Sequence, residues 1–147
     1  MLIKTLELDS NHWSTDWIPI SYRIDQKNYK KCKTFLWDED YKVMAICRSY
    51  YISPSRIEIG DMWLSKPLRG KYDKEGDKYS IKFMKKVISK IWKLYPKIKK
   101  ISLIVSKDNS SAIKLYENLL FKKINNISSK HLNIKQVYYM EREKRIL

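Results

Sequence analysis

The sequence is poor in the residues that bind metals or form disulfides. It has two cysteines, Cys32 and Cys47, and its two histidines, His12 and His131, lie far from both cysteines and from each other. Neither the close ligand spacing of a structural zinc site nor the cysteine pattern of a disulfide framework is present. We therefore expect no metal, and we expect both thiols to be buried or half-buried and reduced.

Long apolar runs and leader-like segments are also missing. No run approaches the roughly 20 apolar residues that a helix needs to cross a bilayer. The N-terminal segment carries the acidic Glu7 and Asp9, where a signal peptide has a basic region followed by an apolar core. These absences predict a soluble, intracellular (cytoplasmic) protein with no membrane partner. The 147 residues, 44% of them apolar, predict a single domain over 1–147.

Acidic residues are few relative to basic ones, with 16 against 31 and a formal net charge of +15. Such a field attracts nucleic acid, an anionic surface or an anionic ligand. Only six of the basic residues are arginines, whereas base recognition usually relies on the bidentate contacts of arginine. Lysine, isoleucine and asparagine are abundant along the whole chain, so we favour a compositional bias with a modest contribution to anionic cofactor capture.

Hydrophobic patterning predicts four strands before the first long helix. They cover Met1–Leu8, Thr34–Trp37, Tyr41–Ser49 and Arg56–Leu64, with Asp38–Asp40 as a hairpin turn and Tyr50–Ser55 as a connection. Gly60, inside the fourth of them, predicts either a bulge or the close approach of another backbone.

Helical spacing then predicts an amphipathic helix over Lys78–Tyr95, ended by Pro96. Lys99–Val105 follows as a central strand, parallel to the fourth because a helix crosses over between them. Asp108–Ser111 supplies N-cap chemistry for a second helix. Two closing strands are predicted over Phe121–Ile127 and Gln136–Glu141.

The turn between the fourth predicted strand and the long helix has the character of an anion site. A strand that feeds a helix N-terminus directs unpaired N–H groups, and the positive end of the helix dipole, at one point. Such a point binds phosphate. On its own this feature is generic.

This order of elements, joined to two motifs, resembles the GNAT superfamily of acyl-CoA N-acyltransferases from about Phe35 to Met140. The family has an apolar-x-apolar pair, a proline near (Arg/Gln)-x-x-Gly-x-(Gly/Ala), and then the helix. The matching residues are Met62 and Leu64, Pro67, Arg69-Gly70-Lys71 and, if Tyr72–Asp77 is a six-residue insertion, Lys78-Tyr79-Ser80.

The helix supports the inserted register. The family places two large apolar residues three and four positions after the second small residue, and Phe83 and Met84 hold those positions after Ser80. Counting from Gly76 and Lys78 would instead send Lys82 into the core. Lys78 replaces the first glycine, so its backbone must approach the phosphates without glycine's freedom.

The second match is the more specific one. Asn109, Ala112, Leu115, Tyr116, Glu117 and Phe121 are similar to the family's Asn-x-x-Ala-x-x-Leu-Tyr-Glu-x-x-Gly-Phe. Leu120 stands where the family commonly has glycine, at a left-handed position that is costly for a β-carbon.

The resemblance implies an α/β (α+β) GNAT-like fold. Its mixed, mostly antiparallel sheet has about six to seven strands, is flanked by helices and is splayed between strands 4 and 5. It also implies acetyl-CoA as co-substrate. The cofactor-binding residues are then Met62, Trp63 and Leu64 for the pantetheine, and the amides of Arg69, Gly70, Lys71, Lys78, Tyr79 and Ser80 for the pyrophosphate.

The resemblance further implies an N–H near Leu64 that polarises the thioester carbonyl. It assigns Asn109 to the pantetheine or to the base of the second helix, and Tyr116 to protonation of the departing thiolate. Tyr116 as a core aromatic, Asn109 as a plain helix cap and Arg69 as a solvated charge remain the alternatives.

Transfer to an amine also requires a base, because a free alkylammonium has a pKa of about 10.4. Glu58 matches a position where some protein-acetylating members carry a catalytic glutamate, and strand parity places it on the face of Met62 and Leu64. A bulge at Gly60 would make Asp61 the candidate, and proton removal through water is equally open. A solvated strand carboxylate is the alternative role of Glu58.

The predicted function is an N-acetyltransferase that moves the acetyl group of acetyl-CoA to a primary amine of a small molecule or protein, acting as a monomer or homodimer. The resemblance implies that residues 13–29 contact the acceptor. Their Trp13, Asp16, Trp17, Tyr22 and Asp25 could bind a cationic group, and a core role for the tryptophans is the alternative. The alternatives are a basic nucleic-acid-binding module and a catalytically silent CoA-binding regulator.

Overall fold

The structure, a computed structural model, describes residues 1–7, 32–124 and 137–144. Within them one seven-stranded sheet has the order β1-β2-β3-β4-β5-β7-β6. The strands are β1 (Lys4–Glu7), β2 (Cys32–Glu39), β3 (Lys42–Ser53), β4 (Arg56–Leu64), β5 (Lys100–Ser106), β6 (Lys122–Lys123) and β7 (Val137–Glu143). The helices are α1 (Tyr79–Leu94) and α2 (Ser110–Asn118), and a 3-10 turn covers Lys66–Leu68.

Strand direction follows the length of each connection. Neighbours from β1 to β4 are antiparallel, and so are β5 with β7 and β6 with β7. The pair β4 and β5 is parallel, because α1 carries the chain back across the sheet between them. The predicted mixed, mostly antiparallel sheet flanked by helices is confirmed.

Several predicted boundaries shift. The prediction of Tyr50–Ser55 as a connection was wrong for its first four residues, since β3 runs to Ser53 and pairs Tyr50 with Glu58. The turn there is confined to Pro54 and Ser55, where proline has no N–H to give a ladder.

The first hairpin turn also moves. Residues 38 and 39 belong to β2, and the turn is made by Asp40 and Tyr41, whose φ angles of 50° and 63° suit a two-residue hairpin. Leu8, 125–127 and Gln136, which were predicted within strands, lie outside the described residues.

One face of the sheet carries α1 and α2, and we call it the helix face. The α1 residues buried against it are Phe83, Met84, Val87, Ile88 and Ile91. They join the inward residues of the strands, among them Ile57, Ile101 and Met140, in one apolar cluster. Neither helix among the described residues is long and apolar enough to span a membrane.

The opposite face is chemically different. Leu36, Ile46 and Trp63 form a small apolar patch on it. Six other residues on this face are polar, and we call them the polar cluster: Thr34, Arg48, Tyr50, Glu58, Asp61 and Ser102. Cross-strand pairing joins them, with Arg48 beside Thr34, Tyr50 beside Glu58, and Glu58 beside Ser102.

Candidate active site

The parallel strands β4 and β5 separate soon after they begin. They pair only from Arg56 to Glu58, opposite Lys100 to Ser102, although β4 continues to Leu64 and β5 to Ser106. Beyond Glu58 the β5 side of β4 is therefore an open backbone edge. The predicted splay between strands 4 and 5 is confirmed.

A β-bulge accompanies this separation. Ile46 pairs with Trp63 and Arg48 with Gly60, so a step of two residues on β3 faces a step of three on β4. Asp61, the residue after Gly60, has a φ of 51°. A bulge bends its strand and increases the local twist, which carries the end of β4 away from β5. The prediction of a bulge at Gly60 is confirmed.

The bulge reverses the parity used to place Glu58. Ile57, Ile59 and Leu64 all join the cluster on the helix face, while Trp63 packs on the opposite face. Glu58 alternates with its two isoleucine neighbours and so lies on the face opposite Leu64. The prediction that Glu58 shares a face with Leu64 was wrong, because the inserted residue changes the count.

Two carboxyl groups of the polar cluster lie near the mouth of the gap. Glu58 is half-buried, and burial raises its pKa while the nearby Arg56 opposes the shift. Burial likewise raises the pKa of Asp61, against a hydrogen bond from Tyr50 and the charge of Arg48. Burial and the bond to Asp61 raise the pKa of the Tyr50 hydroxyl, which stays protonated and donates.

The turn after β4 is built tightly. The Arg69 Nε donates a 2.8 Å hydrogen bond to the Leu64 carbonyl, so this exposed side chain secures the last residue of β4. Gly70 has a φ of 70°, which its missing β-carbon allows. Bonds within the chain engage the amides of Arg69, Lys71 and Tyr79. The turn thus leaves Gly70, Lys78 and Ser80 as its candidate anion-binding amides.

Residues 72–77 form a loop that leaves and rejoins the turn at one place. Tyr72 and Lys78 form an antiparallel bridge, and the Tyr79 amide bonds the Lys71 carbonyl at 3.2 Å. Asp73 closes the loop, since its Oδ1 accepts from the amides of Glu75 and Asp77, each at 2.9 Å. This geometry matches a six-residue insertion.

The burial of residues on α1 agrees with the six-residue insertion. Phe83 and Met84 are 0% exposed in the core. Lys82 instead turns outward, with its Nζ 2.8 Å from Asp73 Oδ2. The alternative register would have buried that lysine, so the core confirms the predicted spacing.

The start of α2 presents Asn109 and the middle presents Tyr116. The Asn109 Oδ1 accepts from the Ala112 amide at 3.1 Å, so this side chain caps the helix. The half-buried Tyr116 ring packs edge-on against Phe121, with centroids 5.9 Å apart. Asn109 therefore caps the helix and Tyr116 packs on Phe121, and both residues also line a cavity.

A cavity of about 730 Å³ lies between the end of β4, the start of α1 and one side of α2. The predicted residues that line it are Met62, Trp63, Leu64, Arg69, Gly70, Lys78, Ser80, Asn109 and Tyr116. Lys71 and Tyr79 do not line it. The ring of Tyr79 stacks on Trp37, with centroids 5.8 Å apart, and anchors the helix start to the sheet.

Sequence reasoning missed several lining residues: Ile81, Ser111, Ala112, Lys114, Leu115 and Asn118. All but Ile81 lie on α2, within five residues of Tyr116. Helical spacing from Tyr116 could have found Ala112, which lies four residues before it. Residues 13–29, predicted to read the acceptor, lie outside the described residues.

Both cysteines are free and buried, as predicted. Burial raises the pKa of Cys32 to about 12, and it raises the pKa of Cys47 as well. These thiols stay protonated at neutral pH and are poor nucleophiles.

Solved structures share this fold. N-acetyltransferase PseH of Campylobacter jejuni in complex with acetyl coenzyme A matches with a TM-score of 0.66 and 19% identity, covering 98% of this chain and 100% of that one. A GNAT family acetyltransferase from Elizabethkingia anophelis with acetyl-CoA bound matches at 0.70 and 12%, covering 97% and 98%.

A Vibrio cholerae spermidine N-acetyltransferase in complex with CoA and spermine matches at 0.60 and 15%, covering 76% and 65%. No protein-family profile matches the sequence, and no curated protein matches it either. The chain has the GNAT acetyltransferase fold, as the resemblance predicted.

Proposed function

We propose that this protein is an N-acetyltransferase that uses acetyl-CoA as co-substrate and a primary amine as acceptor. The observation that carries the proposal is the gap between β4 and β5, whose open backbone edge leads out of the cavity at the start of α1. An extended ligand can pair with such an edge as an added strand does. The pantetheine arm of CoA has the amides for that pairing.

The cavity suits the charged end of the same molecule. Arg69, Lys78 and Lys114 line it, and so do Gly70 and Ser80, whose amides remain available. CoA carries a pyrophosphate and a 3′-phosphate, so cations and free amides at a helix N-terminus match its charge. The solved structures with bound acetyl-CoA share this fold, which supports the assignment.

The acetyl transfer exchanges one bond and moves one proton. The neutral amine attacks the thioester carbonyl, a C–N bond forms, and the C–S bond breaks. The amine loses one proton and the thiolate gains one. Tyr116 is the proposed acid for the thiolate, and an amide near Leu64 stabilises charge on the carbonyl oxygen.

Glu58 and Asp61 are the proposed bases, acting directly or through water. Both lie on the face opposite α1 and close to the gap, and burial raises the pKa of each carboxyl toward neutrality. A raised pKa makes a carboxylate a stronger base, provided that it is still ionised at the working pH.

Two measurements test the proposal. CoA should raise the melting temperature, and acetyl-CoA should release free thiol with some member of a panel of polyamines, aminoglycosides, amino acids and lysine peptides. A thermal shift without thiol release would indicate a silent CoA-binding regulator. No shift with CoA, combined with DNA or RNA binding that weakens steeply with salt, would indicate a nucleic-acid-binding module.

Two glycines provide a matched pair of variants for the binding site. Gly70 and Gly76 both have positive φ, 70° and 86°, and neither has an atom within 4 Å of an added β-carbon. Only Gly70 lines the cavity. Gly70→Ala should weaken CoA binding by about tenfold or more, whereas Gly76→Ala should impose similar backbone strain and leave CoA binding unchanged.

A further inference from the structure

Arg48 is a buried cation that the proposed chemistry does not use. Its side chain is 2% exposed, and its Nε and Nη1 are buried without a hydrogen-bond partner. None of the ion pairs among the described residues involves it. A buried charge with free donors is costly to a fold, and native proteins usually pair it or use it to bind a ligand.

The surroundings of Arg48 are those of a site rather than of a core. It belongs to the polar cluster, beside Thr34 and opposite Gly60 on the bulge. Its charge acts on Asp61 and Cys32, which places both of them near the guanidinium. Asp61 accepts the hydroxyl of Tyr50, so that carboxylate is already engaged by another donor.

The cluster also lies where a second substrate must approach. Glu58 and Ser102 form the last pair before β4 and β5 separate, so the gap opens directly beside the cluster. The cavity proposed for CoA lies beside both described helices on the helix face, so bound CoA would cover that side of the gap. An acceptor therefore reaches the gap from the opposite face, past Glu58, Asp61 and Arg48.

We propose that Arg48 binds an anionic group on the acceptor, so that the preferred acceptor is a primary amine that also carries a carboxylate or phosphate. This inference rests on the proposed acetyltransfer. Glu58 and Asp61 serve the amine end of such a molecule, and Arg48 serves its anionic end. The net charge of +15 acts in the same direction for an amine that carries a phosphate, whose net charge is negative, and it repels polyamines at long range.

The burial of the Arg48 guanidinium limits how an acceptor can reach it. Because Arg48 is 2% exposed, the anionic group must displace part of the local packing on this face as it binds. Such rearrangements accompany a substantial minority of binding events.

The test compares acceptors that differ in the anionic group. Ethanolamine is compared with phosphoethanolamine, and butylamine with 4-aminobutyrate, by thiol release from acetyl-CoA. Spermidine serves as the polycationic acceptor. We expect kcat/KM for the anionic member of at least one pair to exceed its neutral partner by about tenfold or more. The pair that shows the larger preference identifies whether a phosphate or a carboxylate is bound.

Variants assign that preference to one residue. Arg48→Met should lower the ratio of kcat/KM for the anionic acceptor to that for its neutral partner to about one. The ratio is the readout because loss of the Arg48 charge also raises the pKa of Asp61, which alters turnover of both members of a pair alike. Arg48→Lys should keep part of the preference for the anionic acceptor, because lysine keeps the positive charge. Lys93→Gln is the matched control, since it removes one positive charge from an exposed position on α1 and should leave the ratio unchanged.

If Arg48 only stabilised the fold, its replacement would lower the melting temperature. A ligand-binding role predicts no such loss. An apolar side chain of similar length removes the desolvation cost of the buried guanidinium, whose Nε and Nη1 have no hydrogen-bond partner. We therefore expect Arg48→Met to melt no lower than the wild type. A lower melting temperature together with an unchanged acceptor ratio would overturn the proposal.

The failures of the two proposals are separable. Equal turnover of both members of every pair, or faster turnover of spermidine, would overturn the anionic acceptor and leave the acetyltransfer standing. No thiol release from any amine would overturn the acetyltransfer. In that case Arg48 is judged by binding: inorganic phosphate or 4-aminobutyrate should raise the melting temperature of the CoA-loaded wild type and not of Arg48→Met, and equal responses would refute the site.

Discussion

Neighbouring residues of β4 show how differently the two faces of the sheet are used. Ile57 is 0% exposed and packs with α1 on the helix face, whereas Glu58 points to the opposite face, beside Tyr50 and Ser102. Burial favours folding at the isoleucine and opposes ionisation at the glutamate. The helix face therefore supplies stability, and the polar cluster holds groups that are costly to bury and useful for chemistry.

The largest expected effect comes from breaking the helix face. Ile57→Ala leaves a cavity in a close-packed cluster and should lower the free energy of unfolding by about 2–5 kcal/mol. Urea denaturation measures this value. Glu58→Gln, one residue away on the other face, is the matched control and should show no such loss. Equal losses at the two positions would contradict the division between the faces.

Tyr116 tests whether the helix side also contributes to the chemistry. Tyr116→Phe keeps the ring against Phe121 and removes the hydroxyl, so kcat should fall by about 10²–10⁴-fold if that hydroxyl protonates the thiolate. The thermal shift with CoA should be nearly unchanged. Tyr95→Phe, at the C-cap of α1, is the control. Full turnover by Tyr116→Phe would exclude the acid role.

The carboxyl groups of the polar cluster should impose a pH dependence on turnover. A base must be ionised, so kcat/KM should rise with pH through the pKa of the group that acts. Since burial raises the pKa of both Glu58 and Asp61, this limb should lie above the ordinary carboxyl values of 4.5 and 3.8. Whichever of Glu58→Gln and Asp61→Asn removes the limb identifies the base. A limb retained by both variants would leave water as the proton acceptor.

Stability should respond to Glu58 with a definite sign. Its pKa is higher in the folded protein than its ordinary value of 4.5, so its contribution to stability is complete below that value and is lost as pH rises through the folded pKa. The free energy of unfolding of Glu58→Gln, relative to that of the wild type, should therefore increase between about pH 4 and about pH 8. Urea midpoints at both values measure the difference, and a constant difference would show that burial does not perturb this group.

The smallest expected effect concerns backbone strain outside both faces. Leu120 has a φ of 70° and closes α2 in a Schellman motif, with the Phe121 amide on the Tyr116 carbonyl and the Leu120 amide on the Glu117 carbonyl. A left-handed conformation costs a residue with a β-carbon about 1–2 kcal/mol, and the extra chain entropy of glycine offsets about 0.5–1 kcal/mol of that, so Leu120→Gly should raise the free energy of unfolding by up to about 1 kcal/mol. The adjacent Leu119→Gly, at 1% exposed, should lower it instead.

Leu120 also shows what the family motif could tell in advance. The motif required a left-handed residue at this position, and the helix ends that way although the residue is leucine. The element order, the parallel strand after α1, the bulge at Gly60 and the burial of Phe83 and Met84 were likewise predictable. Each depends on local chemistry: turn residues, helical period, or glycine inside a strand.

Other features were not predictable because they depend on which residues meet across the sheet. The face of Glu58 depends on where the bulge inserts its extra residue, and one residue reverses every side chain before it. The continuation of β3 to Ser53 depends on pairing with β4. The involvement of Lys114 and Asn118 in the cavity depends on how α2 is rotated against the gap.

The turn at Arg69–Lys71 and the motif around Tyr116 were readable from the sequence because each is a contiguous pattern with its own hydrogen-bond chemistry. Arg48 was not readable, because its sequence neighbours are an ordinary strand. Only the sheet brings it beside Thr34, Asp61 and the opening of the gap. The sequence by itself determined the elements and the anion-binding turn, and the tertiary structure decided which buried charges share a face, because that depends on register and burial across strands distant in sequence.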